Sequence, residues 1–232
     1  MKIGLIGHGA MGRLIKTIAE ENNHEIAVII DESDAKISID KLAKKLTGIG
    51  AVIDFSISEA VKRNVEACLM ANVPLVEGTT GWNAERETIK KLVEEKSGAF
   101  VFGANFSIGV NLFYRIADYA AELFSRFEDY EAFIEEQHHS RKKDSPSGTA
   151  LKLKDIIAKS IKKDFSVSST RAGNIPGTHR VGFDGNADQI LLEHFARSRE
   201  GFASGAILAA EWIVGKKGFY EFTDVMDEIM KQ

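Results

Sequence analysis

The chain has 232 residues, of which 44% are hydrophobic and 28% charged, a composition typical of a globular protein with one large or two modest domains. Its formal net charge of -4 gives no indication of nucleic acid as a partner. A single cysteine, Cys68, excludes an intramolecular disulfide and a cysteine-rich zinc site. No apolar run approaches the roughly 20 residues of a membrane helix, and residues 1–7 read as a strand and a glycine turn rather than a signal peptide, so we expect a cytoplasmic enzyme without a membrane partner.

Strands and helices alternate over the first hundred residues. Apolar runs predict strands at residues 2–6, 27–30, 51–55, 73–76 and 99–102, and helical spacing of apolar residues predicts helices at 11–21, 59–71 and 84–96. This alternation is typical of βαβ units, so the sequence predicts an α/β fold with a Rossmann-type, doubly wound parallel sheet. Ligands of such sheets bind beyond the carboxyl ends of the strands.

A glycine-rich motif lies between the first predicted strand and the first predicted helix. Its residues are Gly7, His8, Gly9, Ala10, Met11 and Gly12, which match G-x-G-x-x-G. Asp31 follows Gly12 by 19 residues, at the end of the second strand. In this context the glycines permit a tight turn and close approach of a pyrophosphate, and the acid holds the ribose hydroxyls. The motif predicts a dinucleotide site, with a glycine turn that binds nothing as the alternative.

Two further turns lie at the same predicted edge of the sheet. Gly78, Thr79 and Thr80 follow the fourth strand, where small and hydroxyl-bearing residues line the nicotinamide ribose or form an ordinary turn. Asn105 follows the fifth strand and either contacts the cofactor amide or caps the next helix.

The pattern of elements changes after residue 105. Helices are predicted at 110–124, 148–162 and 201–214, strands at 130–137, 166–170, 179–183 and 189–196, and residues 222–230 close the chain. We predict a dinucleotide-binding domain of residues 1–108 and 200–232, and an α+β substrate-binding and oligomerisation domain of residues 109–199. Its open mixed sheet, in which antiparallel pairing is expected, tends to associate with another copy.

Residues 135–150 concentrate side chains that suit acid–base chemistry. They include His138, His139, Lys142, Ser147, Gly148 and Thr149. An imidazole can donate a proton near neutral pH, and a lysine can hold a carboxylate or assist proton delivery. A Ser-Gly-Thr turn that opens a helix offers an N-cap and backbone N–H groups to an anion. No spacing here resembles a known set of metal ligands, so the stretch predicts a pocket for an acidic small molecule that must be protonated.

These residues resemble the 4-hydroxy-tetrahydrodipicolinate reductase family, the dihydrodipicolinate reductases. The family motif is similar to Glu-x-His-His-x-x-Lys-x-Asp-x-Pro-Ser-Gly-Thr-Ala, which occupies residues 136–150. The similarity extends to residues 78–81, 104–111 and 194–199, and so covers essentially the whole chain.

The resemblance implies the reduction of 4-hydroxy-tetrahydrodipicolinate, a small dicarboxylate, to tetrahydrodipicolinate with loss of water. The reductant would be NADH or NADPH, and the pathway diaminopimelate and lysine biosynthesis. Roles implied for individual residues are proton donor for His138 and catalytic lysine for Lys142. Positions implied for the substrate carboxylates are His139, Lys142, Gly148 and Thr149, to which we add Ser147. Positions implied for the cofactor are residues 7–12, Gly78, Thr79, Thr80, Gly103, Ala104, Asn105 and Phe106. A homotetramer joined through the middle domain is implied as well.

Two positions depart from the family pattern. Arg13 lies after the last glycine of a loop that is one residue shorter than usual, and Glu32 stands where an arginine for the 2′-phosphate is often found. Asp31 and Glu32 together predict that NADH is used at least as well as NADPH, with Lys36 as the opposing charge. Two alternatives stay open, namely another Rossmann-type dehydrogenase of amino-acid metabolism and a non-catalytic dinucleotide sensor.

Overall fold

The computed structural model describes residues 1–231 of the chain. Contacts between Cα atoms divide these residues into two compact units. Unit 1 comprises Met1–Ile108 and the segment from Glu200 onward, and unit 2 comprises Gly109–Arg199. Each unit has its own β-sheet and its own apolar core.

The strands and helices follow one another in this order: β1 (Lys2–Ile6), α1 (Ala10–Glu21), β2 (Glu25–Ile30), α2 (Ile39–Leu46), β3 (Ala51–Asp54), α3 (Val61–Ala71), β4 (Leu75–Glu77), α4 (Arg86–Glu95), β5 (Ala99–Phe102), α5 (Ile108–Phe124), β6 (Glu131–His138), α6 (Gly148–Ile157), β7 (Ser166–Arg171), β8 (Thr178–Asp184), β9 (Gln189–Phe195), α7 (Glu200–Ile213), β10 (Gly218–Glu221) and α8 (Phe222–Ile229). Short 3-10 turns precede α3 and α4 and follow β2.

Unit 1 is built on a six-stranded sheet of order β10-β5-β4-β3-β1-β2, in which all pairs are parallel. Side chains alternate between its faces. Ile53 and Val76 face one apolar cluster with residues of α1, α7 and α8, whereas Val52 and Leu75 face another with residues of α2, α3 and α4. The predicted doubly wound parallel sheet is therefore confirmed.

Two elements of unit 1 were not predicted. Helix α2 begins after Ser38, whose hydroxyl accepts a hydrogen bond from the Lys41 backbone, and it buries Leu42, Ala43 and Leu46. Strand β10 pairs with β5 and extends the sheet at one edge. Four residues carry little periodic signal of their own, so pairing with β5 rather than local pattern defines this strand.

Unit 2 contains a four-stranded sheet of order β7-β6-β8-β9. Strand β7 pairs in parallel with β6, whereas β6 with β8 and β8 with β9 pair antiparallel, so the predicted open mixed sheet is confirmed. Helices α5 and α6 pack on one face of this sheet through an apolar cluster that includes Phe113, Leu153, Ile134 and Val181. Strand β9 forms one edge of the sheet.

A search of residues 1–231 for membrane spans finds no helix with the length and apolar character to cross a bilayer.

Candidate active site

The three motif glycines after β1 occupy different environments. Gly7 has a positive φ of 87°, and a Cβ there would lie 2.4 Å from the Phe55 carbonyl oxygen. A Cβ on Gly12 would lie 2.0 Å from the carbonyl oxygen of Gly7. A Cβ on Gly9, in contrast, would meet nothing within 4 Å. The protein's own packing therefore requires Gly7 and Gly12, whereas open space above Gly9 leaves its backbone accessible to a ligand.

Asp31 lies beside the glycine loop at the carboxyl end of β2. One carboxylate oxygen accepts hydrogen bonds from the backbone N–H of Ser33 at 2.9 Å and from its hydroxyl at 2.6 Å. These hydrogen bonds lower the pKa of Asp31, so the group is ionised at neutral pH. Gly9, Asp31 and Glu32 line the same cavity of about 770 Å³. The acid predicted to hold ribose hydroxyls thus shares a cavity with the predicted pyrophosphate loop.

A second cavity of about 480 Å³ brings the turns after β3 and β4 together with the glycine loop. Its lining includes Gly9, Met11, Ser56 and Thr79. The Thr79 hydroxyl accepts a hydrogen bond of 3.0 Å from the Ser56 backbone N–H. A Cβ on Gly78 would lie 2.2 Å from the Phe55 ring, so a larger residue at this turn would require that ring to move. The predicted Gly78–Thr80 turn is therefore part of a ligand-sized cavity.

The turn after β5 has a different character. Phe106 is buried, with its ring centroid 4.7 Å from that of Phe222 and 6.1 Å from that of Phe55. A Cβ on Gly103 would touch Phe222 and Phe106. The Asn105 side chain accepts a hydrogen bond of 2.9 Å from the Ser107 backbone N–H. None of the predicted residues Gly103, Ala104, Asn105 and Phe106 lines either cavity, and the side chain of Phe106 supports the turn from the core.

In unit 2, His138 is paired with a buried carboxylate. His138 ends β6, and its Nδ1 hydrogen-bonds Oε2 of Glu136, two residues earlier on the same face of the strand. Burial lowers the pKa of His138, while the hydrogen bond and the charge of Glu136 oppose that shift. Because Nδ1 is held by the carboxylate, Nε2 is the nitrogen that can exchange a proton with a ligand.

Glu136 connects this histidine to the start of α6. Its other oxygen, Oε1, accepts hydrogen bonds from Arg171 at 2.6 Å and from the Ser147 backbone N–H at 3.2 Å. Burial raises the pKa of Glu136, but hydrogen bonds from Arg171, Ser169 and His138 outweigh burial and the net shift is downward. Glu136 is therefore ionised although it is buried.

A second buried histidine lies beside the first. His179 on β8 is next to Glu136 in the sheet register, and its ring stands edge-on to that of His138 with centroids 5.1 Å apart. Its Nε2 hydrogen-bonds the Ser147 hydroxyl at 3.1 Å. Burial lowers the pKa of His179 to about 4, with the positive charge of His138 as the next contribution. His179 is therefore neutral at physiological pH.

The remaining predicted residues of unit 2 lie around the turn into α6. Lys142 forms a 2.8 Å ion pair with Asp144, and Nδ1 of His139 is buried without a hydrogen-bond partner. Ser147 is the N-cap of α6, as predicted, and accepts a hydrogen bond from the Ala150 backbone. A Cβ on Gly148 would meet nothing within 4 Å. The first turn of α6 therefore has room for a ligand beside Gly148, whose backbone N–H also hydrogen-bonds the Asp144 carboxylate.

Sequence reasoning assigned no role to Glu136, Arg171 or His179. A signal for Glu136 existed, because Ala132, Ile134, Glu136 and His138 all face inward at alternate positions of β6. Arg171 and His179 come from β7 and β8, and only strand pairing brings them to His138 and Glu136.

Comparison with known proteins places the chain in one family. The model for the N-terminal part of dihydrodipicolinate reductase matches residues 1–106, and the model for its C-terminal part matches residues 109–226. The 4-hydroxy-tetrahydrodipicolinate reductase of Christiangramia forsetii is 34% identical over 100% of both chains, and that of Archaeoglobus fulgidus is 35% identical over 98% of this chain and 100% of the relative.

This chain belongs to the dihydrodipicolinate reductase family. Its function is accordingly that of the 4-hydroxy-tetrahydrodipicolinate reductase of diaminopimelate and lysine biosynthesis, an oxidoreductase that uses a nicotinamide dinucleotide. A solved dihydrodipicolinate reductase from Paenisporosarcina sp. TG-14, named as dipicolinate bound, has the same fold with a TM-score of 0.80 at 23% identity, over 97% of this chain and 99% of that one.

The residues of unit 1 fit the dinucleotide of this reductase family. The open space above Gly9 admits a pyrophosphate, and the ionised Asp31 in the same cavity suits ribose hydroxyls. Within residues 1–231, Glu136, His138 and His179 form a group spaced as metal ligands are. In this group, Oε1 of Glu136 accepts a hydrogen bond from Arg171, and Nε2 of His179 is hydrogen-bonded to the Ser147 hydroxyl.

Proposed function

We propose that unit 1 holds the dinucleotide and unit 2 holds the substrate and its proton donor. The hydrogen bonds that join His138 to Glu136 and Glu136 to the Ser147 backbone carry this proposal. They attach an acid–base group to the N-terminus of α6, where backbone N–H groups favour an anion. This arrangement suits a substrate that carries an anionic group and accepts a proton during the reaction.

For the cofactor, we propose that residues 7–12 hold the pyrophosphate and that Asp31 holds the adenosine ribose. Gly78, Thr79 and Thr80 line the cavity that adjoins the loop and would hold the nicotinamide ribose. Glu32 lines the cavity of about 770 Å³ together with Asp31, and two carboxylates there favour the ribose hydroxyls of NADH over the 2′-phosphate of NADPH. Arg13 donates a hydrogen bond of 3.1 Å to the His8 carbonyl oxygen, so its guanidinium also stabilises the loop itself.

For the substrate, we propose that the first turn of α6 binds one carboxylate through the backbone of Gly148 and Thr149, next to Ser147. The dipicolinate-bound relative from Paenisporosarcina supports a small dicarboxylate as the ligand. Lys142 and His139 would hold the second carboxylate, with Lys142 exchanging its ion pair with Asp144 for the substrate. Lysine is suited to this exchange because its ammonium is a mobile point charge.

The reduction adds one hydride and one proton, and one water leaves. The bound dinucleotide supplies the hydride. His138 would supply the proton from Nε2 while Glu136 holds Nδ1 and stabilises the imidazolium. Burial lowers the pKa of His138 in the chain without ligands, and a dianionic substrate nearby raises it again, so substrate binding itself would help to load the proton.

For assembly, we propose a homotetramer formed through unit 2. The sheet face away from α5 and α6 carries Leu191 and Phe195, which are 47% and 52% exposed on an edge strand. Apolar side chains on an open sheet associate readily with a second copy.

The test is the oxidation of NADH with freshly prepared substrate. His138→Ala should lower kcat by about 10²–10⁴-fold with a smaller change in KM, because a general acid acts mainly in the transition state. Lys142→Ala should lower kcat and also raise KM, because Lys142 is proposed to hold a substrate carboxylate. Lys143→Ala, which changes the adjacent exposed lysine, is the matched control and should alter neither constant. An unchanged kcat in His138→Ala would remove His138 from the mechanism. Tight NADH binding without turnover would instead favour a dinucleotide sensor.

A further inference from the structure

Unit 1 contains two carboxyl groups that the reaction does not use and that water does not reach. Asp54 ends β3 and Glu77 ends β4, and both are 0% exposed. The two residues are direct partners in the parallel register of β3 and β4, so their side chains lie on the same face of the sheet. Each carboxyl group shifts the pKa of the other, so the two interact directly.

No cation within the described residues neutralises this pair. In the sheet register, Ile6 lies beside Asp54 and Phe102 lies beside Glu77. Helix α3, which packs on this face, contributes Asn64 and the buried Cys68 thiol. Arg86 at the start of α4 lies over the Phe102 ring and pairs with Glu221. Among residues 1–231, neither acid forms a salt bridge, so two adjacent negative charges would have no compensation.

The hydrogen bonds locate a proton. Both oxygens of Asp54 accept: Oδ1 from the Ser56 backbone N–H at 2.9 Å and Oδ2 from the Asn64 amide at 2.7 Å. On Glu77, Oε1 accepts from the Thr79 backbone N–H at 2.7 Å, whereas Oε2 is buried and has no donor. Asp54 is thus the ionised member, and a proton on Glu77 Oε2 lets that unpartnered atom donate a hydrogen bond to Asp54.

The same hydrogen bonds reach the wall of the 480 Å³ cavity. Asp54 holds the backbone of Ser56, Glu77 holds the backbone of Thr79, and the Thr79 hydroxyl accepts from Ser56. Ser56 and Thr79 both line the cavity in which the nicotinamide end of the cofactor is proposed to bind. The acid pair therefore lies directly behind two turns that would contact the dinucleotide.

We propose that Asp54 and Glu77 share one proton and act as a positioning pair that sets the Ser56 and Thr79 turns for dinucleotide binding. Burial, and then the charge of Asp54, raise the pKa of Glu77 well above its usual range, in agreement with the hydrogen-bond assignment. Loss of this proton at alkaline pH puts two buried charges side by side and forces the turns apart. This positioning role rests on the proposed cofactor site, whereas the shared proton does not.

The shared proton is tested without cofactor. Infrared difference spectra of the whole protein should contain the C=O stretch of a buried protonated carboxyl above neutral pH in the wild type and in Glu95→Gln, a charge-matched surface control. Glu77→Gln should abolish that band. The melting temperature of the wild type should fall as pH rises through the raised pKa of Glu77, and that of Glu77→Gln should not. A spectrum without such a band, or a band that survives in Glu77→Gln, overturns the shared proton.

The positioning role is tested by the fluorescence of bound NADH. A glutamine keeps both hydrogen bonds, one to Asp54 and one from Thr79, so Glu77→Gln should keep the wild-type affinity at neutral pH and lose its alkaline decline. Glu77→Leu removes both hydrogen bonds and should weaken the binding of NADH about tenfold or more. Equal weakening in the two variants, or superimposable pH curves for wild type and Glu77→Gln, overturns the role even if Glu77→Leu does not fold. A wild type that fails to bind NADH contradicts the cofactor site and leaves the infrared result standing.

Discussion

Glu136 and His138 lie two residues apart on β6 and are joined by a hydrogen bond from Nδ1 to a carboxylate that is only 1% exposed. The period of two along a strand puts both on the inward face. Because Arg171 keeps Glu136 ionised, the carboxylate both fixes the tautomer of the ring and stabilises its protonated form. Burial alone would favour the unprotonated ring of His138, and the charge of Glu136 opposes this effect, so His138 can still carry the proton that it donates.

Replacement of Glu136 should therefore change the pH dependence of the reaction. Glu136→Gln removes the group that raises the pKa of His138, so the alkaline limb of the kcat profile should move to lower pH. A hydrogen bond to a charged group contributes about 1.5–3 kcal/mol, which predicts a fall in kcat of about 10–10²-fold near neutral pH. Glu135→Gln, the same change on the opposite face of β6, should leave the profile in place. A uniform loss at every pH would indicate a structural role only.

The open space above Gly148 and Gly9 allows each proposed ligand site to be probed separately. Gly148→Ala meets no protein atom, so it should fold normally and weaken inhibition by pyridine-2,6-dicarboxylate about tenfold, because its methyl group obstructs a carboxylate. Gly9→Ala should instead weaken the binding of NADH and leave the binding of pyridine-2,6-dicarboxylate unchanged. Calorimetric titration of both variants with both ligands checks this. Inhibition that is equal in wild type and Gly148→Ala would place the diacid elsewhere.

The acids at the end of β2 predict cofactor choice. We expect kcat/KM for NADH to be at least as high as for NADPH, since like charges about 4 Å apart near a surface repel by up to ~4 kcal/mol before screening. Glu32→Arg should shift the ratio toward NADPH by about tenfold. Steady-state kinetics with both cofactors decides the matter. A wild-type preference for NADPH above about tenfold would mean that Lys36 or another cation outweighs both acids.

The neutral His179 predicts a loss of stability in mild acid. Its pKa is about 4 in the folded protein, whereas an ordinary histidine has a pKa of about 6.5. As the pH falls between these values, the unfolded chain binds a proton at this residue and the folded chain does not. The free energy of unfolding should decrease by about 3 kcal/mol from this group alone. His179→Gln should remove this part of the decline in chemical denaturation curves. Parallel wild-type and variant curves between these pH values would show that His179 does not contribute.

The exposed apolar residues of β9 predict the assembly. Light scattering should give the mass of a tetramer at micromolar concentration. Leu191→Asp should dissociate it, because a buried carboxylate at the contact is unfavourable. Met70→Asp makes the same kind of change at an exposed apolar residue of α3 and should leave the mass unchanged. A stable, active monomer in the wild type would contradict assembly through this sheet.

The sequence by itself determined the fold class and the family. Strand-to-helix alternation, the glycines at 7, 9 and 12 with Asp31, and the motif at 136–150 are local signals. Each depends on spacing along the chain, which backbone geometry converts directly into a turn, a cap or a strand face. Ser147 as the N-cap of α6 is such a case. The helix at Ile39–Leu46 was overlooked although Ser38 and its apolar spacing were there to be read.

Tertiary structure alone decided which side chains surround those local signals. Arg171 and His179 reach Glu136 and His138 through pairing of β6 with β7 and β8, across 33 to 43 residues of chain. Parallel pairing of β3 and β4 sets Asp54 and Glu77 side by side, both 0% exposed and with no cation among residues 1–231 to neutralise them. Their protonation follows from burial and from which donors reach each oxygen, and neither quantity is written in the local pattern of residues.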